Sequence, residues 1–289
     1  MKEKKNIYSE ADIQVFEGTE AIRKRPGMYI GGVGAEAYHH LFREIVNNSI
    51  DEYLAKTDLE NESFIIEVFI DKDRKGVRIK DRGRGIPFGP CKKIKKNSTL
   101  ETILTVTHSG GKFDSDVYKY SGGLHGVGIT VVNALSSICE VISRRGDEKA
   151  RILFKQGKVS EKIKIETAKR SKTGTEVYFK PDIEIFQGVE GFDERKIVED
   201  LKRLACLNPR LRIEITNSKG KKEILEFTDG MGILLNGEID KQVSEIVLEN
   251  NVSIEAKSED FEVNFCFNYT HSQKNNILSF TNNIHNSEF

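Results

Sequence analysis

A glycine-rich stretch that leads into an apolar run is the first candidate for chemistry in this chain. Residues 121–135 read SGGLHGVGITVVNAL, with four glycines among the seven residues 122–128. The apolar residues from Ile129 onward predict a helix, and the N–H groups in the first turn of a helix have no partners within it. The helix dipole favours an anion at that end, and glycine lets the backbone approach the anion closely. The stretch has the geometry of a phosphate site, although a plain flexible loop has the same composition.

Two standard nucleotide motifs do not account for this stretch. The dinucleotide fingerprint G-x-G-x-x-G directly follows a strand, whereas here the order is Gly123-x-x-Gly126-x-Gly128 and a loop precedes it. The phosphate loop G-x-x-x-x-G-K-[ST] also fails, because the Gly-Lys pair at 111–112 is followed by Phe113. Neither of these two nucleotide-binding folds is supported.

A second candidate lies on the helix predicted at residues 36–56. Glu44, Asn48 and Asp51 fall within about 60° of one another, on the side opposite the apolar residues. A solvated helix face is the ordinary interpretation of such a group. Asn is a poor helix former, however. A carboxylate one turn from an amide oxygen suits a base that activates water beside a ligand for a hard cation such as Mg²⁺.

A third candidate is the segment DRGRGIP, in which Asp81 is followed by Gly83 and Gly85. Asp81 stands at the end of a predicted strand, where a carboxylate is held in a fixed direction, as the recognition of an amino group requires. The two glycines would let the backbone pass close to a flat ring. A simple exit from a hairpin is the alternative interpretation.

The elements that must position these groups alternate between helix and strand signals. Two apolar runs joined by the polar turn DKDRKG form a hairpin pattern. Apolar and polar residues alternate with a period of two after the glycine-rich stretch and again near the end of the chain. The pattern indicates an α+β fold with helices on one face of a mostly antiparallel sheet. Helices are predicted at 36–56, 99–107, 128–136 and 193–205, and strands at 64–70, 77–80, 139–145, 150–157, 161–167, 175–180, 210–215, 252–257, 262–270 and 276–280.

Composition narrows the class of protein further. The 289 residues include 45 basic and 45 acidic side chains, so nothing indicates an overall basic nucleic-acid binder. The lysine-rich segment at 91–97 is expected to be a solvated loop rather than a DNA contact.

The four cysteines form no C-x-x-C pair, so we expect them to be buried free thiols. The chain contains neither an apolar stretch long enough to span a membrane nor a signal peptide, so we expect a cytoplasmic protein without a membrane partner.

The three candidates and the later Thr173-Gly-Thr175 occur in an order that resembles the GHKL ATPase family, which includes gyrase, ninety-kilodalton heat-shock chaperones, MutL and sensor histidine kinases. One branch is closer still: the chain resembles the B subunits of bacterial type IIA topoisomerases, gyrase or topoisomerase IV. The motifs that carry this resemblance, which covers almost the whole chain, are RKRPGMYIG, GRGIP, GGKF, YKYSGGLHGVGITVVNALS and SFTNNI.

The resemblance implies a fold and a division into domains. Residues 1–228 would form the GHKL (Bergerat) sandwich, a mixed and mostly antiparallel sheet with helices on one face. An N-terminal arm would occupy residues 1–17. Residues 229–289 would begin a second α/β domain, the incomplete transducer, which is similar to ribosomal protein S5.

The resemblance also implies cofactors and the roles of individual residues. The cofactors would be ATP and Mg²⁺, with Glu44 as the general base and Asn48 as the magnesium ligand. Asp81 would accept a hydrogen bond from the adenine amino group with the help of Thr175, and Glu52 would pair with Arg84 at the rim of the pocket. The further nucleotide-binding residues would be Asp51, Gly85, Ile86, Pro87, Lys112, Tyr118, Gly122, Gly123, Leu124, His125, Gly126, Val127, Gly128 and Arg145.

The implied activity is ATP-driven dimerisation that gates the passage of DNA strands. The partner would be a second copy of the chain, reached by the N-terminal arm through Tyr8 and Ile13. The DNA-cleaving A subunit and DNA would bind through regions absent from this chain, and inhibitors of the aminocoumarin type would contact Arg145. Because the transducer lysine that reaches the γ-phosphate is also absent, the chain alone is expected to be a weak ATPase.

Two departures from the family pattern leave alternatives open. Asn47 stands where the family has Asp, and Arg82 stands where it has Asn. A nucleotide-binding paralogue that is non-catalytic or weakly active is therefore one alternative. Another enzyme of the same fold, a histidine kinase or a chaperone, is the other.

Overall fold

The computed structural model describes residues 16–55, 64–110, 126–168, 173–241, 245–258, 261–272 and 276–286. Several predicted site residues lie outside these ranges. They are Tyr8, Ile13, Lys112, Tyr118, Gly122, Gly123, Leu124 and His125.

An eight-stranded mixed sheet forms the centre of the protein. Its strand order is β5-β4-β3-β6-β2-β1-β7-β8. Neighbouring strands are antiparallel except for β1 and β7, which are parallel. The predicted α+β class with a mostly antiparallel sheet is thus confirmed. The strands are β1 Phe64–Ile70, β2 Val77–Asp81, β3 Ser136–Arg145, β4 Glu148–Lys155, β5 Lys158–Thr167, β6 Gly174–Pro181, β7 Leu211–Thr216 and β8 Lys222–Leu225.

Helices cover one face of this sheet and bury the apolar half of each inner strand. In β1, Phe64, Ile66, Val68 and Ile70 are buried, and the residues between them are partly or fully exposed. This period of two places every second side chain in the core. The helices are α1 Gly18–Lys24, α2 Gly27–Ile30, α3 Ala35–Ala55, α4 Thr99–Thr105, α5 Gly128–Ala134, α6 Glu194–Leu207 and α7 Gly230–Lys241.

Helix α3 matches the predicted helix to within one residue at each end, but its polar side differs from the expectation. Asp51 is only 2% exposed, so the solvated-face interpretation is wrong for this residue. The reason is that the polar side is covered as well. Glu44, which is on that side, lies against Gly128 of α5.

The C-terminal part contains a helix that the sequence pattern did not predict. Helix α7 begins at Gly230, in a stretch for which the sequence pattern indicated no helix. A Cβ atom on Gly230 would overlap the carbonyl oxygen of Cys206. The glycine therefore allows α7 to start directly on α6, a packing advantage that helix propensity cannot register.

The last strands agree with the predictions only in part. Strands β9 Val252–Lys257 and β10 Glu262–Phe267 form a separate antiparallel pair, as the alternation predicts. The strand predicted at 276–280 is wrong over most of its length. Only the short strands β11 Phe280–Thr281 and β12 Ile284–His285 pair with each other there. Within the described ranges, no helix is long and apolar enough to cross a membrane.

Candidate active site

Asp81 is the best-defined polar group of the site. It is the last residue of β2 and is only 6% exposed. Its Oδ1 accepts hydrogen bonds from the backbone N–H of Gly83 at 2.8 Å and of Thr175 at 3.1 Å. Its Oδ2 accepts from the hydroxyl of Ser49 at 3.2 Å. Burial raises the pKa of Asp81 to about 6, and these three hydrogen bonds oppose that rise.

The hydrogen bonds give the two carboxylate oxygens of Asp81 different capacities. Each oxygen has about two acceptor positions. The two backbone N–H groups fill those of Oδ1, whereas Ser49 takes one position of Oδ2. Asp81 therefore offers its remaining acceptor capacity at Oδ2, which suits a donor such as an amino group.

The segment after Asp81 is held against β3 by contacts that require glycine. Gly85 has a φ of 75°, and a Cβ atom on it would lie 2.5 Å from the carbonyl oxygen of Arg144. Its own carbonyl accepts a hydrogen bond from Nη1 of Arg145 at 2.6 Å. The buried hydroxyl of Ser143 donates to the carbonyl of Ile86 at 2.7 Å. Residues 83–87 are thereby fixed beside Asp81.

Glu52 and Arg84 form the pair that the resemblance implies. Nη2 of Arg84 donates to Oε1 of Glu52 at 2.8 Å, and Nε donates to Oε2 at 3.1 Å. The backbone N–H of Arg84 adds a third hydrogen bond to Oε2 at 3.0 Å. Two parallel bonds between a guanidinium and a carboxylate fix both side chains more firmly than one bond would. The pair ties the end of α3 to the segment after Asp81.

Glu44 lies where α3 meets the first turn of α5. A Cβ atom on Gly128 would overlap Oε2 of Glu44, so the carboxylate occupies space that only a glycine leaves open. Oε1 of Glu44 lies 3.2 Å from Nε2 of His40, one turn earlier on α3. Asn48 is half-buried on the same side of α3. These are oxygen donors of the kind that Mg²⁺ binds.

The structure brings most of the described candidate residues into one region. Asp81, Gly85, Arg145 and Thr175 are joined by hydrogen bonds or direct contacts. Ile86 and Val127 are partly buried against the core, and Pro87 and Arg145 are exposed. Asp51 is buried in α3 rather than presented on an open face.

Sequence reasoning missed two serines at this site. Ser49 belongs to the apolar side of α3 and Ser143 to the buried alternation of β3, and both are buried. A hydroxyl in an otherwise apolar stripe is the signal that could have identified them, because buried polar groups are nearly always hydrogen-bonded. Which group each serine binds depends on elements distant in sequence.

Residues 34–185 match the family described as "Histidine kinase-, DNA gyrase B-, and HSP90-like ATPase". This match covers more than half of the 289 residues, and the chain belongs to this ATPase family. Within the family, the chain is similar to gyrase B proteins in particular. It is 41% identical over 290 residues to the DNA gyrase B protein of Clostridium acetobutylicum. It is 39% identical over 288 residues to that of Halalkalibacterium halodurans.

These alignments include the whole of this chain but only 44% of each relative. The chain thus spans less than half the length of the gyrase B proteins that it matches. A solved structure is also similar, the 43K ATPase domain of Thermus thermophilus gyrase B in complex with an aminocoumarin. The TM-score is 0.77 at 34% identity, over 93% of this chain and 67% of that one.

Proposed function

We propose that this chain binds and hydrolyses ATP as the ATPase region of the B subunit of a type IIA DNA topoisomerase. The observation that carries the proposal is the buried carboxylate of Asp81, which three donors orient. The alignment with gyrase B along the whole chain supports it. Two alternatives, a non-catalytic nucleotide-binding module and another enzyme of this fold, have no comparable observation in their favour.

Asp81 would recognise adenine. Oδ2 would accept a hydrogen bond from the exocyclic amino group, because the backbone donors already occupy Oδ1. The backbone at Gly83 and Gly85 would lie along the flat ring, with Glu52 and Arg84 at the rim. A buried acceptor selects strongly for a base that can donate to it, since a base without a donor would leave it unpaired.

Glu44 would act as the general base of hydrolysis. It would take a proton from the water that attacks the γ-phosphorus, and the products would be ADP and inorganic phosphate. Asn48 would hold Mg²⁺, whose bound charge would neutralise the phosphate oxygens. Gly126 and Gly128 would let the phosphates approach the start of α5, and Glu44 already lies against Gly128.

The proposal extends to the whole protein of which such a region is part. ATP binding would close a homodimer through the N-terminal arm, with Tyr8 and Ile13 on the partner, and so gate DNA strand passage with the DNA-cleaving A subunit. This role on chromosomal DNA would place the protein in the cytoplasm.

Arg145, which holds Gly85, would contact an aminocoumarin. The ATPase region would end at residue 228, and residues 229–289 would begin the second domain.

The test combines calorimetric titration with a non-hydrolysable ATP analogue, with and without Mg²⁺, and a steady-state ATPase assay. Glu44→Gln should abolish turnover and retain analogue binding, because it removes the base and keeps the shape of the side chain. Glu199→Gln on the exposed side of α6 is the matched control and should behave as the unmodified chain does. Absence of analogue binding to the unmodified chain would refute the proposal. Binding without any turnover would favour the non-catalytic module.

A further inference from the structure

We infer that the lysine loop, defined as residues 91–97, is a contact site for the phosphate backbone of duplex DNA. The inference rests on the proposed function in one respect, because that function identifies the bound polyanion as DNA. The loop connects the segment after Asp81 to α4 and carries Lys92, Lys93, Lys95 and Lys96 within five positions. The sequence alone favours a solvated loop, and three properties of the structure argue for more than that.

The first property is unbalanced charge. All four lysines are exposed, and in the described part of the chain none of them forms an ion pair. Lysines elsewhere do find acidic partners: Lys80 pairs with Glu67 at 2.5 Å and Lys180 with Asp73 at 2.9 Å. Because the protein has equal numbers of basic and acidic residues, four adjacent positive charges without paired carboxylates form a distinct electropositive surface.

The second property is a defined loop conformation. The backbone N–H of Cys91 donates to the carbonyl of Asn97 at 3.1 Å, and that of Asn97 donates to Ile94 at 3.1 Å. Thr99 N–H donates to the carbonyl of Gly89 at 2.8 Å and closes the base of the loop. Ile94 is half-buried between the two lysine pairs. A surface whose conformation is already fixed loses less entropy on binding.

Hydrogen bonds to the Cys91 side chain are consistent with this defined conformation. Hydrogen bonds from the backbone of Ile94, the side chain of Thr102 and the backbone of Lys93 lower the pKa of the Cys91 thiol. Neighbouring groups of the loop and of α4 are therefore directed toward the Cys91 sulfur, while the four lysine side chains are exposed.

The third property is the chemistry of the exposed side chains, which favours duplex phosphates over other anionic surfaces. Residues 91–97 contain no aromatic residue, and stacking on aromatics is what single strands require. Their aliphatic residue, Ile94, is half-buried, whereas peptides that bind membrane surfaces insert exposed apolar groups. Lysines act on phosphates as point charges and carry no base recognition, so the contact should be independent of DNA sequence.

The test is the salt dependence of binding to a fluorescein-labelled duplex, measured by fluorescence anisotropy. The loop variant is K92Q/K93Q/K95Q/K96Q. The control variant is K155Q/K158Q/K162Q/K164Q, which removes the same charge from exposed lysines of β4 and β5. Each phosphate contact contributes about −0.9 to the slope of log K against log salt. The loop variant should therefore lose roughly 2 to 4 from the magnitude of that slope, and the control should lose almost nothing.

Three results would overturn the inference. The first is equal losses in the two variants, which would show a general charge effect. The second is unchanged DNA binding in the loop variant. The third is loss of binding to anionic phospholipid vesicles with DNA binding retained, which would assign the loop to a membrane surface. Calorimetry with the ATP analogue keeps the two proposals apart, because the loop variant should bind the analogue as well as the unmodified chain.

Discussion

At the scale of single residues, Asp81 shows how hydrogen bonds to one oxygen determine what the other can bind. Gly83 and Thr175 direct two N–H groups to Oδ1, so that oxygen must remain an acceptor. When Asp81 is protonated, the proton must therefore lie on Oδ2. When residue 81 is asparagine, its amide nitrogen must likewise take the place of Oδ2. Both predictions at this scale follow from this asymmetry.

The first prediction is that Asp81→Asn loses nucleotide affinity. The two backbone donors would hold the amide oxygen at the Oδ1 position and turn the NH₂ group toward the adenine amino group, so that two donors face each other. Affinity for the ATP analogue should fall about 10- to 100-fold, measured by calorimetry. Asp147→Asn, at an exposed turn, is the control. An Asp81→Asn variant with unchanged affinity would contradict the proposed role.

The second prediction concerns pH. The pKa of Asp81 is raised to about 6 from its ordinary 3.8, so the carboxyl takes up a proton as the pH falls through 6, and Oδ2 then becomes a donor. Nucleotide affinity should decrease below this pH. The folded chain binds more protons than the unfolded chain between these two values, so this group lowers the free energy of unfolding as the pH rises from 3.8 to 6.

Ser49→Ala separates this effect from the titration of the nucleotide itself. The Ser49 hydroxyl lowers the pKa of Asp81, and its removal should move the decrease in affinity to higher pH. The phosphates of the nucleotide titrate identically with both proteins. Identical pH profiles for the two proteins would show that Asp81 does not control the effect.

At the scale of elements, the contact between α3 and α5 joins the candidate base to the glycine-rich segment. Glu44 occupies the space that Gly128 leaves open at the first turn of α5. The glycine at this position has a packing reason in addition to any contact with phosphate. Helix propensity alone would favour alanine there by about 0.5–1 kcal/mol.

The third prediction follows from this contact. Gly128→Ala should reduce ATP turnover at least tenfold, because the added methyl group displaces the Glu44 carboxylate. Steady-state kinetics are the measurement. Gly237→Ala in α7, where a Cβ atom would meet nothing within 4 Å, is the control and should retain full turnover. Unimpaired turnover in Gly128→Ala would remove Glu44 from the position that we assign to the base.

At the scale of the whole molecule, the described C-terminal part is attached to the ATPase sheet through α6. Gly230 contacts Cys206 at the start of α7. Asn208 and Asn283 exchange side-chain hydrogen bonds of 2.9 Å and 3.3 Å. These contacts join α6 to α7 and to the turn between β11 and β12.

The fourth prediction tests this attachment. Asn283 has a φ of 69°, so Asn283→Gly keeps the backbone conformation and removes both hydrogen bonds. The variant should lose about 1–2 kcal/mol of stability in this segment. Proteolysis within residues 276–286 should be correspondingly faster, and ATP-analogue binding should be retained. Unchanged protection from proteolysis would mean that the amide pair does not hold the segment in place.

The sequence by itself determined the order of the motifs, the family and most of the elements. Helix α3 and strands β1 and β2 were predicted to within a residue, because they depend on local periodicity and on turn residues. Helix α7 could not be predicted, since its start depends on space beside Cys206. The error at 276–280 has a similar origin, because an alternating pattern does not supply a partner strand.

Only the tertiary structure decided which groups meet at the site. Ser49 and Thr175 lie 32 and 94 residues from Asp81 in sequence, and the order of strands in the sheet brings all three together. The burial of Asp51 and the overlap of Glu44 with the space at Gly128 likewise depend on how α3 packs against β2 and α5. Residue types and spacing are local properties, whereas burial, contact distance and pKa depend on neighbours that are far apart in the chain.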